Sequence, residues 1–351
     1  MARDHSFHPA RVVRVVDETA DTRTYVLDAA FGYRAGQFVT FRACGTLRSY
    51  SMSSSPDTDS ELATTVKRVP GGLVSNWMHE NLAAGDTVEI TAPAGVFCLR
   101  EETGAPLVAF AGGSGITPIL SLVKSALATT SRSVRVLSAN RDSESVIFGA
   151  ALEALAAAHP GRLEVRHHLD VNSGLVTKAE ILDFTGGDRD ADFYLCGPEP
   201  FMDLIERVLR AQGVDAARIL TERFNPAADD EALLLRGAAP PYPPGEKAGD
   251  EEAEENKDEA GGTITITLEG KTRRVDRVAG LTLLLHARRG GLTPPFSCES
   301  GNCATCIGHV TSGEVKMRIN NALDDDEIAD GWVLTCQSEP VTPDVTVTYD
   351  D

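Results

Sequence analysis

Four cysteines near the end of the chain constrain its fold more than any other feature. Cys298, Cys303 and Cys306 lie in C-E-S-G-N-C-A-T-C, a C-x4-C-x2-C run, and Cys336 follows after 29 intervening residues in L-T-C-Q. Three thiolates on one tight loop with a fourth from a distant segment are the ligand spacing of a plant-type [2Fe–2S] cluster. Ser297, Ser300 and Gly301 keep the loop small and polar, so its backbone N–H groups can turn toward the sulfurs. A structural zinc site usually pairs two C-x2-C knuckles, and only one such pair stands here. Two disulfides are the other alternative. The cluster reading predicts one-electron chemistry.

At 351 residues the chain is long enough for two or three domains, and 42% of its residues are hydrophobic, enough for separate cores. No apolar run approaches a membrane span, so no membrane insertion is expected. The start, M-A-R-D-H-S-F-H-P, has no apolar h-region. Cys44, Cys98 and Cys196 remain outside the cluster set, an odd number that suits a reducing compartment, and the expected location is cytoplasmic. A formal net charge of −19 disfavours a nucleic-acid partner on electrostatic grounds and is compatible with docking on a basic protein surface. A monomer is expected.

Composition divides the chain. Residues 227–260 hold 11 Asp and Glu against 3 Lys and Arg, with A-A-P-P-Y-P-P-G at their centre. Self-repulsion, proline and low hydrophobicity predict an extended, flexible acidic linker, the alternative being an acidic surface helix. Residues 8–103 are rich in Val, Thr and Phe with frequent Gly and Pro, which predicts a small β-barrel. Residues 104–226 alternate strand-like runs (107–111, 134–138, 193–196) with helical ones (119–128, 150–158, 201–211), the βαβ rhythm of a parallel nucleotide-binding sheet. Residues 261–351 open on T-I-T-I-T-L, with Ile264, Ile266 and Leu268 on one face, and pass through a short helix over 281–289. They end in V-T-V-T-Y, a pattern that suits a small α+β fold. The fold class is therefore multidomain: a β-barrel, an α/β parallel-sheet domain and a small α+β domain, the last resembling the β-grasp fold of plant-type ferredoxins.

Two glycine turns carry further chemistry. Gly71-Gly72 precedes a helical run, L-V-S-N-W-M, where bared N–H groups at a positive dipole end can seat a pyrophosphate; an ordinary hairpin turn after Pro70 is the plainer reading. A-G-G-S-G-I-T-P follows a predicted strand, and Gly112, Gly113 and Gly115 permit close approach of a dinucleotide. It is not G-x-G-x-x-G. Cys196-Gly197-Pro198 ends another strand, where open α/β sheets bind ligands; a buried core thiol is the alternative for Cys196. R-S-Y-S, Arg48 to Ser51, offers a guanidinium, a ring and a hydroxyl, but alone is a weak signal. The eight histidines show no metal spacing, and Asp324 to Glu327 reads as a solvated turn or a docking patch.

Taken in order, these motifs resemble the ferredoxin–NADP reductase superfamily, in the branch with a plant-type ferredoxin fused at the C-terminus. The likeness is to reductase components of bacterial oxygenases, of the phenylacetyl-CoA epoxidase and 3-ketosteroid 9α-hydroxylase kinds. It is carried by Gly36–Phe38, R-S-Y-S, the turn at Gly71–Ser75, Pro93–Phe97, G-G-S-G-I-T-P, Asn140–Asp142, C-G-P-E, Glu222–Phe224 and the four cysteines. Two departures stand out: Ser138 replaces a common aromatic, and the linker is long and acidic.

The resemblance implies a role for each matching residue. Arg48 contacts the flavin pyrophosphate, with Ser49 beside it; Tyr50 packs on the isoalloxazine and Ser51 bonds near its N5. Gly71, Gly72, Leu73, Val74 and Ser75 hold the FAD phosphates. Gly113, Thr117 and Cys196 line the nicotinamide path, with Gly112, Gly115 and Gly197 among the cofactor-binding residues, and Phe224 covers the flavin until nicotinamide displaces it. Ser51, Thr117, Cys196 and Phe224 are thus the expected catalytic set, and Cys298, Cys303, Cys306 and Cys336 the metal ligands. Arg141 suits a 2′-phosphate, whereas Asp142 suits a ribose hydroxyl and favours NADH over NADPH.

The resulting expectation is an electron-transfer reductase. Electrons pass from NAD(P)H through FAD to a [2Fe–2S] cluster, and on to a terminal oxygenase, hydroxylase or desaturase. Its rivals are a stand-alone NAD(P)H:acceptor reductase and a ferredoxin-type carrier with an inactive flavin module.

Overall fold

The structure is a computed structural model, and it describes residues 7–100, 102–224, 261–292, 294–296, 301, 304–320 and 322–350. The acidic linker expected at 227–260, and the ligands Cys298 and Cys303, lie outside the described residues. The chain divides into two compact units, one ending at Pro226 and one running from Ala227 to Asp351.

The first unit begins with six antiparallel strands: β1 (Phe7–Thr19), β2 (Thr22–Asp28), β3 (Phe38–Ala43), β4 (Thr46–Ser51), β5 (Leu62–Lys67) and β6 (Thr87–Thr91). Their order is β4-β3-β6-β1-β2-β5. An isolated bridge from Met52 to Thr64 brings the two edge strands together, so the sheet curls toward a barrel. Tyr25, Leu27, Val39, Phe41 and Ile90 fill it. Helix α1 (Leu73–Asn81) presents Val74 and Met78 to the same core.

The second sheet of this unit is wholly parallel: β7 (Leu107–Gly112), β8 (Val134–Asn140), β9 (Leu163–Leu169), β10 (Asp192–Cys196) and β11 (Ile219–Glu222), in the order β11-β10-β7-β8-β9. Central strand β7 is buried at all six positions, as a strand covered on both faces must be. Helices α2 (Ile116–Thr129) and α3 (Gly149–Ala158) cover one face. The other face carries α5 (Lys178–Thr185) and α6 (Glu199–Ala211), with short α4 (Asp170–Ser173) after β9. Strand order reverses between β7 and β10, which creates the switch point where doubly wound sheets bind ligands.

Barrel and parallel sheet meet through the hydroxyl-bearing face of α2. Ser121 Oγ donates to Ser54 O at 2.6 Å, Ser125 and Ser55 share a hydroxyl contact at 2.7 Å, and Lys124 pairs with Asp59 at 2.9 Å. At the opposite end of the sheet, buried Asp192 receives Arg132 at 2.7 Å and Arg218 at 3.1 Å.

The second unit holds β12 (Thr263–Leu268), β13 (Lys271–Asp276), α7 (Leu283–Arg289), β14 (Ile307–Ser312), β15 (Val315–Met317), α8 (Asp325–Ala329), β16 (Trp332–Leu334), β17 (Ser338–Pro340) and β18 (Val345–Thr348). Five strands form a mixed sheet, β13-β12-β18-β14-β16, with β12 and β18 parallel. Ile264, Ile266, Val345 and Val347 pack against Leu283 and Ala287 of α7. No helix among the described residues is long and apolar enough to cross a membrane.

Candidate redox site

In the barrel, β4 carries R-S-Y-S beside β3, with Ser51 opposite Phe38 and Arg48 opposite Phe41. The Tyr50 ring meets Phe41 edge-on at 5.7 Å and packs partly buried on the barrel core. Ser49 shares a hydroxyl contact with Thr40 at 2.9 Å, and Arg48 donates to Leu47 O at 2.9 Å. Ser51 is 4% exposed, and its hydroxyl makes no hydrogen bond to the described residues. Ser51 therefore keeps an uncommitted donor at the strand end, which fits a flavin nitrogen.

The Gly71-Gly72 turn opens α1 rather than closing a hairpin. Gly71 has φ +75°, and Gly72 is the N-cap with no side-chain cap. A Cβ on Gly72 would fall 2.7 Å from Ser75 Oγ. The first N–H groups of α1 thus stay available in a cradle only glycine leaves open, and this fits a pyrophosphate.

At the switch point the two glycine-bearing loops interlock. A Cβ on Gly115 would lie 2.1 Å from Cys196 O, and one on Gly112 would lie 2.7 Å from the Pro198 ring. The G-G-S-G turn is therefore pressed directly on the C-G-P turn. Helix α2 starts at this contact with no side-chain cap. Thr117 Oγ1 donates to Ser114 O at 2.9 Å, so its hydroxyl proton closes the turn itself. The site thus brings Gly112, Gly113, Gly115, Thr117, Cys196 and Gly197 together.

Cys196 is buried at the end of β10, beside Ala111 on one side and Glu222 on the other. Burial pushes its thiol well above the ordinary range, and the Glu222 carboxylate pushes it further. Glu222 is a site residue that sequence reasoning left without a role. Its place beside the thiol emerges only from the parallel register of β10 and β11. Phe224 follows two residues later and packs, partly buried, on the core cluster containing Cys196, Phe97 and Ile116.

Arg141 and Asp142 lie just beyond β8. Arg141 Nε donates to Asp142 at 2.9 Å, and the same carboxylate accepts the Ser145 N–H at 2.9 Å in a capping box. The Arg141 hydrogen bond, joined by those from Ser145, holds the Asp142 carboxyl below its usual range.

In the second unit Cys306 and Cys336 are both buried, within a cluster of Leu284, Ala322, Leu323 and Leu334. Ala304 and Gly301 hold positive φ, +52° and +80°, the tight backbone that a cluster loop demands. A Cβ on Gly301 would come within 2.8 Å of Ile319 O. Gln337 Nε2 donates to the Cys336 sulfur at 3.7 Å. Two buried cysteines, with a hydrogen bond donated to the Cys336 sulfur, fit a thiolate-bound cluster. The acidic run is partly structural: Asp324 caps α8, with buried Glu327 completing a capping box.

Three family models match in the order of these sites. They are an oxidoreductase FAD-binding domain over residues 9–98, an oxidoreductase NAD-binding domain over 110–207 and a 2Fe-2S iron-sulfur cluster binding domain over 266–341. The ferredoxin reductase component of 3-ketosteroid-9-alpha-monooxygenase from Mycolicibacterium smegmatis is 38% identical, over 97% of this chain and 96% of its own. The chain belongs to the oxygenase reductases of the ferredoxin–NADP reductase superfamily. A component of the Escherichia coli 1,2-phenylacetyl-CoA epoxidase is 30% identical over 98% of both chains. Phthalate dioxygenase reductase shares the fold, with TM-score 0.61, 21% identity and 98% of both chains covered. Within this family the chain is an oxidoreductase with FAD, nicotinamide and [2Fe–2S] sites.

Proposed function

We propose that this chain oxidises NADH and delivers the electrons singly to the terminal component of an oxygenase. The observation that carries the reading is the interlocked pair of turns at Gly115 and Cys196, formed at the switch point of a sheet joined to the Ser51 barrel. A bound FAD would supply the chemistry that links a two-electron hydride donor to a one-electron [2Fe–2S] centre.

The chain's own residues orient and enclose that exchange. Arg48 and the α1 N-terminus neutralise the pyrophosphate, with Gly71 to Ser75 giving backbone access. Tyr50 supports the ring system, and Ser51 offers a hydroxyl at its edge. Thr117, locked to Ser114, fixes the wall along which the nicotinamide slides. Cys196 stays a neutral thiol and shapes the site without adding charge, while Glu222 stands behind it. Phe224 would cover the flavin face and give way to the nicotinamide. Cys306 and Cys336, with Cys298 and Cys303, hold the cluster.

NADH is favoured because Asp142 already occupies the Arg141 guanidinium, so a 2′-phosphate would meet a carboxylate in place. The partner is the terminal component of an oxygenase, by analogy with the named relatives. Anaerobic mixing with one equivalent of NADH is expected to bleach both flavin and cluster absorbance, with NADPH much slower. Bleaching of the flavin alone favours the stand-alone acceptor reductase. No bleaching favours a carrier recharged by another reductase.

A further inference from the structure

The two described cluster cysteines are joined through one residue. Thr335, fully buried and directly before Cys336, donates twice to the carbonyl of Cys306: its N–H at 3.1 Å and its hydroxyl at 2.7 Å. The Tyr349 hydroxyl in turn donates to Thr335 Oγ1 at 3.0 Å. Leu284 N–H, from the first turn of α7, donates to the Thr335 carbonyl at 3.0 Å. The residue just after the last strand therefore reaches the ligand pair through a directed chain of two O–H groups.

We propose that Thr335 and Tyr349 are positioning residues that set the reduction potential of the cluster. This rests on Cys306 and Cys336 being cluster ligands. Both O–H dipoles point their positive ends toward Cys306, and aligned hydrogen bonds polarise one another. A positive end at this place favours the added electron, as hydrogen bonds and local charge do at iron–sulfur centres generally. The same chain holds the Cys306 backbone against the residue preceding Cys336. The two ligand-bearing segments are thereby tied to each other, as outer-shell partners orient metal ligands elsewhere.

The geometry also states how the two hydroxyls couple. Tyr349 bonds to Thr335 and also stands close enough to Cys306 and Cys336 to interact with them electrostatically, so the effects of the two hydroxyls are coupled rather than independent.

The test is redox titration of the full-length holoprotein, with electron paramagnetic resonance of the reduced cluster. Thr335→Val is expected to lower the cluster potential and shift the g values. Tyr349→Phe is expected to lower the potential by less. The double variant should shift the potential by less than the sum of the two single shifts, and Thr335→Ser should restore the wild-type values. Unshifted potentials in both single variants, with clusters intact, overturn the proposal, and so does a double variant whose shift is the sum of the two. If Thr335→Val retains no cluster, Tyr349→Phe decides, and an unmoved potential there is equally fatal. A wild-type protein without a [2Fe–2S] spectrum instead defeats the cluster reading on which the proposal stands.

Discussion

The Cys196 thiol sits where charge would be costly. It has no exposure, a carboxylate neighbour and glycine backbone pressed on its own carbonyl. Desolvation disfavours thiolate, and Glu222 disfavours it again by repulsion, so the group stays protonated through neutral and mildly alkaline pH. A role in geometry follows, rather than one in proton transfer or nucleophilic attack. Cys196→Ala is expected to slow hydride transfer by about tenfold, equivalent to ~1.4 kcal/mol of transition-state stabilisation, with little change in NADH affinity. Stopped-flow flavin reduction measures both. A loss of affinity with an unchanged limiting rate would assign the thiol to binding. The motif around Cys196 is plain in the sequence because C-G-P ends an apolar strand. Glu222 is not, because nothing in E-R-F indicates that a neighbouring strand in parallel register sets it beside a sulfur.

Elements differ in how openly they announce themselves. Strands β7, β8 and β10 read directly as apolar runs because both faces of a parallel sheet are covered. Helix α6 declares its length through its apolar stripe. Edge strand β13, K-T-R-R-V-D, gives no such signal: it is exposed at five of six positions, so pairing with β12 rather than burial makes it a strand. The three-residue strands β15, β16 and β17 are too short for any alternation to register. Helix α1 is masked by its Gly-Gly entrance, which reads equally as a turn.

Helix α7 is visible in the sequence, yet the part played by His286 within it is not. His286 is fully buried, with Nε2 accepting the Val278 N–H at 3.0 Å and Nδ1 donating to Thr282 O at 2.8 Å. Burial lowers its pKa below the ordinary 6.5, and the nearby Arg289 and Arg277 guanidinium groups act in the same direction. The unfolded chain therefore binds a proton that the fold resists, and stability falls as pH drops below about 6.5. His286→Gln is expected to cost about 1–3 kcal/mol at pH 7.5 through disrupted buried hydrogen bonds. The same change should flatten the dependence of the melting midpoint on pH between 7 and 5. An unchanged acid slope in the variant would show that other groups govern it.

On the scale of the whole molecule, the chemistry divides as the cores do. The barrel core is built from residues between Ala10 and Ile90, and the parallel sheet is closed on both faces by α2, α3, α5 and α6. The cluster-bearing unit has its own core, from Ile264 to Val347. A unit with a complete core and its own paired strands is able to fold alone. Cutting the chain after Pro226 removes no strand from either sheet of the first unit. The truncated protein is therefore expected to keep its flavin and to reduce ferricyanide with NADH at the rate of the full chain. It should lose transfer to the oxygenase, because the one-electron centre and its four cysteines are gone. Adding residues 261–351 as a separate protein should recover that transfer only weakly, since the covalent link otherwise supplies a high effective concentration. Steady-state assays with both acceptors separate the outcomes. A truncated chain that cannot retain flavin would show that the first unit depends on the second for its fold. Full oxygenase reduction by the truncated chain would place electron exit at the flavin and leave the cluster without a part in delivery.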